Sequence, residues 1–239
     1  MDQRDQRDLF IAAKGADVQN FNNVLQQVLS RQQQRTLDFL KRVMSPSGNS
    51  LLHVAAESGR NDNTALLSAQ APFLIERRNY NGEEENQLVR IKNEMGNTAL
   101  HDAVMGKSHD IVERLVFADP EVSYYSNKAG KSPLYLVVEA RDAEALTLLS
   151  KFIHSRGDTS PRVEGLNPVF LAIERKDIGI LRQIENEMPK LLRVKDDKRG
   201  NNALHFASSK GYREGVSFLL DHFGNDNEFA SERGPIMQT

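Results

Sequence analysis

Apolar and polar positions along this chain form one short pattern that recurs at nearly constant intervals. Copies of the pattern include GNTALHDAVMGK and GKSPLYLVVEAR, and they begin at Gly48, Gly96, Gly130, Gly165 and Gly200. The intervals are 34 or 35 residues, except for a first interval of 48. Such a period is typical of repeat proteins, in which each copy is one supersecondary unit.

Each copy predicts the start of a helix. The second residue after every glycine can accept a hydrogen bond from the free N–H groups of a helix's first turn. These residues are Ser50, Thr98, Ser132, Asn167 and Asn202. Pro133 and Pro168 follow two of them, where the missing N–H of proline has no cost. The leading glycines are expected to have a positive φ in the preceding turn.

A second helix is predicted after each first one. Apolar residues at helical spacing follow the pattern, as in Ile111, Val112, Leu115 and Val116. Each copy is therefore a helical hairpin, and one hairpin cannot bury its own apolar face. We expect an all-α fold in which the hairpins stack as a solenoid with projecting loops.

The copies resemble the ankyrin signature Gly-x-Thr-Pro-Leu-His-x-Ala-Ala-x-x-Gly over nearly the whole chain. The segments SPSGNSLLHVAAESG and ADPEVSYYSNKAGKSPLYLVVEAR are further similar to plant ankyrin proteins of the accelerated-cell-death type. In that family a carboxy-terminal membrane domain follows the repeats, and its members are linked to defence and stress signalling at the plasma membrane. This sequence shows no such domain, so we expect no direct membrane insertion by this chain.

We expect one ankyrin-repeat domain over residues 1–239. Its parts are a divergent N-terminal repeat (1–47), a repeat (48–79), a polar loop insertion (80–95), four repeats (96–129, 130–164, 165–199 and 200–224) and the start of a further repeat (225–239). Solenoids normally close with a polar end repeat. The last segment therefore predicts a truncated product or a fragment, either monomeric or weakly self-associating through its uncapped end.

Composition narrows the classes of partner. Thirty-one basic and 33 acidic residues give a net charge of -2, which provides no broad positive field for nucleic acid or anionic lipid. The absence of cysteine removes disulfides, thiolate metal sites and a cysteine nucleophile, and it favours the cytoplasm. No run of about 18 apolar residues occurs, as a spanning helix would need.

Three histidines of the pattern could suggest a metal site. His53, His101 and His205 belong to different repeats and lack the short spacings of zinc ligands, so we interpret them as structural. In ankyrin repeats this imidazole binds backbone in the neighbouring turn. Tyr135 and Phe170 replace it in the middle copies, and those junctions are expected to depend more on packing.

Catalytic and cofactor-binding sites are not predicted. His101 stands beside Asp102, but adjacent residues point to different sides of a helix, so a hydrolytic pair is not favoured. The sequence contains no nucleophile elbow and no phosphate-binding glycine loop. We expect no enzyme, no cofactor and no bound metal.

The ankyrin resemblance implies that a protein or peptide partner binds the concave side, at the loop fingers and the exposed first-helix positions. By register the finger candidates are Arg77, Tyr80, Tyr125, Lys128, Lys195, Asp197 and Arg199, and the helix candidates are Glu57, Met105, Glu139, Glu174 and Ser208. Of the pair Tyr124 and Tyr125, one is expected to pack inward. The function expected is a cytoplasmic protein-binding scaffold in plant defence or stress signalling. The alternative is the regulatory part of a plasma-membrane signalling protein, and an enzyme is a distant third.

Overall fold

The computed structural model describes residues 3–32, 42–59, 63, 88–154, 163–195 and 200–223. Two compact units divide the chain, Met1–Pro133 and Leu134–Thr239. Eleven α-helices lie in the described residues, together with short 3₁₀ helices at Leu88–Arg90, Pro120–Tyr124 and Pro189–Arg193. Among these helices, none is both long enough and apolar enough to cross a bilayer.

The first unit contains α1 (Gln3–Lys14), α2 (Val18–Gln32), α3 (Leu51–Glu57), α4 (Ala99–Met105) and α5 (His109–Ala118). Helices α1, α3 and α4 pack side by side, while α2 packs on α1 and α5 packs on α4. Small residues at these contacts, including Ala13, Ala55 and Ala103, are fully buried. They allow short helices to approach closely, as the repeat pattern predicts.

The second unit begins within α6 (Pro133–Ala140) and continues with α7 (Ala143–His154), α8 (Pro168–Glu174), α9 (Ile178–Glu187), α10 (Ala203–Ser209) and α11 (Arg213–Phe223). First helices α8 and α10 pack together, and α9 lies between α7 and α11. The largest buried side chains include Leu146, Leu149, Ile173 and Leu181. Stacking of hairpins within each unit therefore buries the apolar faces that a single hairpin would leave open.

The predicted helix starts are confirmed. Proline is the first residue of α6 and of α8. The side-chain oxygens of Ser50, Asn167 and Asn202 accept hydrogen bonds from backbone N–H groups in the first turns of α3, α8 and α10. All five leading glycines have a positive φ, between +62° and +78°.

Part of the predicted 80–95 loop insertion has regular structure. Leu88–Arg90 forms a 3₁₀ turn ahead of its finger, as Pro120–Tyr124 does one repeat later. Leu88 and Val122 both lie eight residues before the leading glycine of the next copy, and both are buried. The turn is therefore a regular part of the repeat. Segment 225–239 lies outside the described residues.

Candidate protein-binding surface

Buried histidines join neighbouring repeats in the first unit. The ring of His53 is fully buried, its Nδ1 accepts the N–H of Ser50 at 3.3 Å, and its Nε2 donates to the carbonyl of Asn97 at 2.9 Å. An Nδ1 that accepts leaves the proton on Nε2. Burial lowers the pKa of His53, against the opposing effect of the Asn97 hydrogen bond, so the ring is neutral at pH 7.

His101 repeats this arrangement one repeat later. Its Nδ1 accepts the N–H of Thr98 at 3.0 Å, and its Nε2 donates to the carbonyl of Lys131 at 3.1 Å. Burial is the main cause that lowers the pKa of His101 to about 4, and the charge of Lys92 acts in the same direction. Both imidazoles therefore bond to a backbone carbonyl of the neighbouring repeat, the contact expected of structural histidines.

Aromatic packing replaces this hydrogen bond in the second unit. The ring of Phe170 stacks on Phe206 of the following repeat, with centroids 4.6 Å apart and planes 11° from parallel. Tyr135, the other replacement, is buried. At Phe170 the contact with the following repeat is thus one of packing.

Side-chain amides and backbone groups connect the fingers. Asn93 Nδ2 donates to Asn49 Oδ1 at 2.8 Å, and Asn127 Nδ2 donates to Asn97 Oδ1 at 2.9 Å. The backbone N–H of Lys128 donates to the carbonyl of Met95 at 3.0 Å. A Cβ at Gly96, where φ is +78°, would lie 2.8 Å from Lys128 N, so the close approach of these fingers requires glycine.

A groove of about 410 Å³ opens where the ends of α3 and α4 meet these fingers. We call it the inner groove, and its lining comprises Asn49, Glu57, Asn93, Asn97, Asp102, Met105 and Gly106. Glu57 is exposed, and Met105 is 54% exposed although its side chain is large and apolar. The groove combines carboxylates, amides and an accessible thioether.

Asp102 is the one charged residue in this lining that was not predicted from the sequence as a binding candidate. Its side chain is only 7% exposed, and its Oδ1 accepts a hydrogen bond from Asn97 Nδ2 at 3.1 Å. Burial raises the pKa of Asp102 to about 6; the Asn97 hydrogen bond opposes this shift, and the charge of Glu57 adds to it. The sequence does carry a signal for Asp102, because the other four copies of the pattern have an apolar residue at this position.

Comparison with known proteins now decides the family. A family model described as ankyrin repeats (3 copies) matches residues 8–124 and 124–230. The chain belongs to the ankyrin repeat family. The predicted resemblance and the predicted all-α ankyrin fold class are thereby confirmed. Ankyrin repeats bind proteins and are typically not catalytic.

Two similar proteins add detail. Protein ACCELERATED CELL DEATH 6 of Arabidopsis thaliana is 25% identical in an alignment that covers 76% of this chain and 34% of that protein. The chain thus spans about a third of the length of this relative. A chain of the solved structure titled Bd0816 predatory endopeptidase from Bdellovibrio bacteriovorus in complex with immunity protein Bd3460 matches with a TM-score of 0.58 and 19% identity, over 89% of this chain and 96% of that chain. This likeness shows a shared fold alone.

The predicted first-helix candidates have different surroundings. Glu57 and Met105 line the inner groove. Glu139 forms an ion pair with Arg175 at 3.6 Å, and Glu174 forms one with Lys210 at 2.7 Å, so both carboxylates have a partner from the following repeat. Ser208 is exposed, and its hydroxyl donates to the carbonyl of Leu204 within its own helix.

The described finger candidates are Tyr125, Lys128 and Lys195. Both lysines are exposed, whereas Tyr125 is half-buried. Charged groups of Arg90 and Lys92 lie 5.8 Å and 5.4 Å from the Tyr125 ring centroid, and such cation–π contacts restrain the ring. Tyr124 is buried, which confirms that one tyrosine of the pair packs inward.

The remaining finger candidates, Arg77, Tyr80, Asp197 and Arg199, lie outside the described residues. Over the part of the chain that the structure describes, no group of three or more His, Cys, Asp or Glu side chains is placed to hold a metal ion.

Proposed function

We propose that this chain is a non-catalytic scaffold that binds another protein, and that a segment of the partner occupies the inner groove. The observation that carries the proposal is the groove itself, which two sequence-predicted contact residues, Glu57 and Met105, line from consecutive repeats. These residues occupy the same register position, at the exposed end of each first helix. Exposed methionine is also favourable at binding surfaces because its side chain adapts to different partners.

Affinity capture from the source tissue with paired variants tests this function. The groove variant carries Glu57→Ala and Met105→Ala, and the control variant carries Glu94→Ala and Phe117→Ala. Glu94 is exposed and Phe117 is 65% exposed, and neither lines the groove, so the control removes a similar amount of exposed side chain from the same unit. We expect the groove variant to lose proteins that the wild type and the control retain. Identical captured sets for all three would exclude this groove as the binding surface.

The biological setting proposed is plant defence or stress signalling in the cytoplasm. Support comes from the similarity to Protein ACCELERATED CELL DEATH 6. Disruption of the gene in its own plant, followed by pathogen challenge, tests the setting. Unaltered lesion formation and pathogen growth would contradict it.

A second candidate is that the chain is the cytosolic regulatory part of a longer plasma-membrane protein. The observation that favours it is that the chain spans about a third of its similar relative. An antibody raised against this chain distinguishes the two. A band much larger than 26.9 kDa that remains with membranes after carbonate washing supports this candidate, and a band near 26.9 kDa in the soluble fraction supports the free scaffold.

A further inference from the structure

Asp102 stands at a position where this protein otherwise uses apolar residues. It is the sixth residue after the leading glycine of its copy, and the equivalent residues are Val54, Leu136, Leu171 and Phe206. Val54, Leu136 and Leu171 are buried, and so is Asp102. A buried carboxylate costs stability where an aliphatic side chain would contribute it. The exception therefore needs an explanation other than packing.

The polar contacts of Asp102 are only partly satisfied within the described residues. Its Oδ1 accepts from Asn97 Nδ2, and the Asn97 amide is itself oriented by Asn127, whose Nδ2 donates to Asn97 Oδ1. Its Oδ2 has no hydrogen bond or ion pair in that part of the chain, and the side chain lines the inner groove. Asp102, a residue that is only 7% exposed, thus presents one open acceptor to a recess.

The rest of the groove indicates the chemistry of the missing partner. Glu57 adds a second carboxylate, and none of the described residues that line the groove is cationic. Repulsion between the carboxylates of Glu57 and Asp102 raises the free energy of the empty groove, and a bound cation would lower that free energy. Met105 offers apolar contact beside these acids, which suits the methylene stem of a long basic side chain.

We propose that the inner groove binds a lysine or arginine side chain of the partner protein, with the cationic head at Asp102 Oδ2 and the stem against Met105. The inference rests on the proposed scaffold function and names the chemistry that this scaffold recognises. Charge complementarity in a recess contributes specificity, because a neutral side chain would leave Asp102 buried without a partner.

Titration of the full chain followed by NMR tests the proposal directly. The probes are N-acetylarginine N-methylamide, the corresponding lysine compound and the uncharged citrulline compound. We expect the two cations to shift the Asn97 side-chain amide and the Met105 methyl signals, and the citrulline compound to leave them unchanged. If citrulline binds equally well, or if Ca²⁺ shifts these signals and the organic cations do not, the proposal is wrong.

Asp102→Leu provides the decisive variant, since leucine occupies this position in two other copies. We expect affinity for both cations to fall by about tenfold or more, the usual effect of losing a charge-assisted hydrogen bond. The midpoint of urea unfolding should rise, because an apolar residue is restored. A purely structural Asp102, holding the finger through Asn97, predicts a lower midpoint and unchanged affinity. Glu94→Gln is the matched control and should change neither quantity.

The same variant separates this inference from the function on which it depends. Suppose that the Glu57 and Met105 double variant loses its partners in affinity capture while Asp102→Leu keeps them. The scaffold function is then supported, and the proposal that the inner groove binds a cationic side chain is refuted. If Asp102→Leu also loses them, both ideas are supported. If neither variant loses partners, both fail.

Discussion

Replacement of His101 by phenylalanine tests whether the buried imidazoles connect the repeats through their hydrogen bonds or through their shape. Phenylalanine is close to histidine in size, and Phe170 occupies the equivalent position two repeats later. His101 is fully buried and binds Thr98 N–H on one side of the ring and Lys131 carbonyl on the other. His101→Phe keeps the ring shape and removes both bonds, together with the contact of 2.9 Å between His101 Nδ1 and Thr98 Oγ1.

The expected cost follows from what each bonded group loses. Thr98 is fully buried, and its N–H would be left without a partner, which costs about 1–3 kcal/mol. The Lys131 carbonyl loses less, because it also accepts the N–H of Asn127 at 2.9 Å. Added apolar burial of the phenyl ring offsets a small part of the loss. We expect unfolding free energy to fall by about 2–3 kcal/mol.

Urea unfolding followed by circular dichroism at pH 7.5 measures this loss, and hydrogen exchange by mass spectrometry assigns it to the unit Met1–Pro133. The matched control is His205→Phe. His205 is half-buried, and the Asn202 N–H that its Nδ1 accepts lies at 3.4 Å, compared with 3.0 Å for the Thr98 N–H at His101, so a smaller loss than for His101→Phe is expected. Equal losses at the two positions, or a His101→Phe loss below about 1 kcal/mol, would refute the hydrogen-bond argument.

Three further predictions use other contacts. Gly96→Ala combines a positive φ with a Cβ 2.8 Å from a backbone nitrogen and should lower the unfolding free energy by more than about 2 kcal/mol in urea unfolding. Gly200→Ala, whose Cβ would meet no described residue within 4 Å, should lower it by about 1 kcal/mol. Phe206→Ala removes a half-buried stacked ring and should lower stability by about 2 kcal/mol in the same assay. As pH falls from 6 to 4, the lowered pKa of His101 (about 4) decreases the unfolding free energy, while the raised pKa of Asp102 (about 6) increases it. Asp102→Asn removes the second effect. Its unfolding free energy should therefore fall more steeply than that of the wild type, by about 1 kcal/mol per pH unit in parallel urea titrations.

Helix starts could be predicted from sequence because their interactions are local. A cap residue and the N–H that it binds are two or three positions apart, as for Asn167 with Val169 and Phe170. The positive φ of each leading glycine likewise belongs to a single residue. The signature has a second glycine, and three copies replace it with Lys107, Arg141 and Lys176. The φ of these residues is still positive, at 52° to 55°, because the turn requires it.

The chemistry of the surface was harder to predict because it depends on pairs about one repeat apart. Glu139 and Glu174 have the register of exposed contact residues, yet Arg175 and Lys210, each 36 positions later, pair with them. Glu57 and Met105 have the same register and line a groove. Whether a residue at this register position is ion-paired or lines a groove depends on the side chain that the next hairpin places beside it.

His101 and Asp102 place a stabilising side chain and the proposed recognition side chain on one helix of seven residues. Successive residues of an α-helix are about 100° apart, so His101 is directed to the neighbouring finger while Asp102 lines the inner groove. The finger that receives His101 also supplies Asn127, and Asn127 orients the Asn97 amide that holds Asp102. Loss of the imidazole would therefore loosen the groove wall as well as the junction. Weaker binding in a His101 variant would then follow from displaced geometry, and only a change at Asp102 that keeps or raises stability isolates the contribution of its charge.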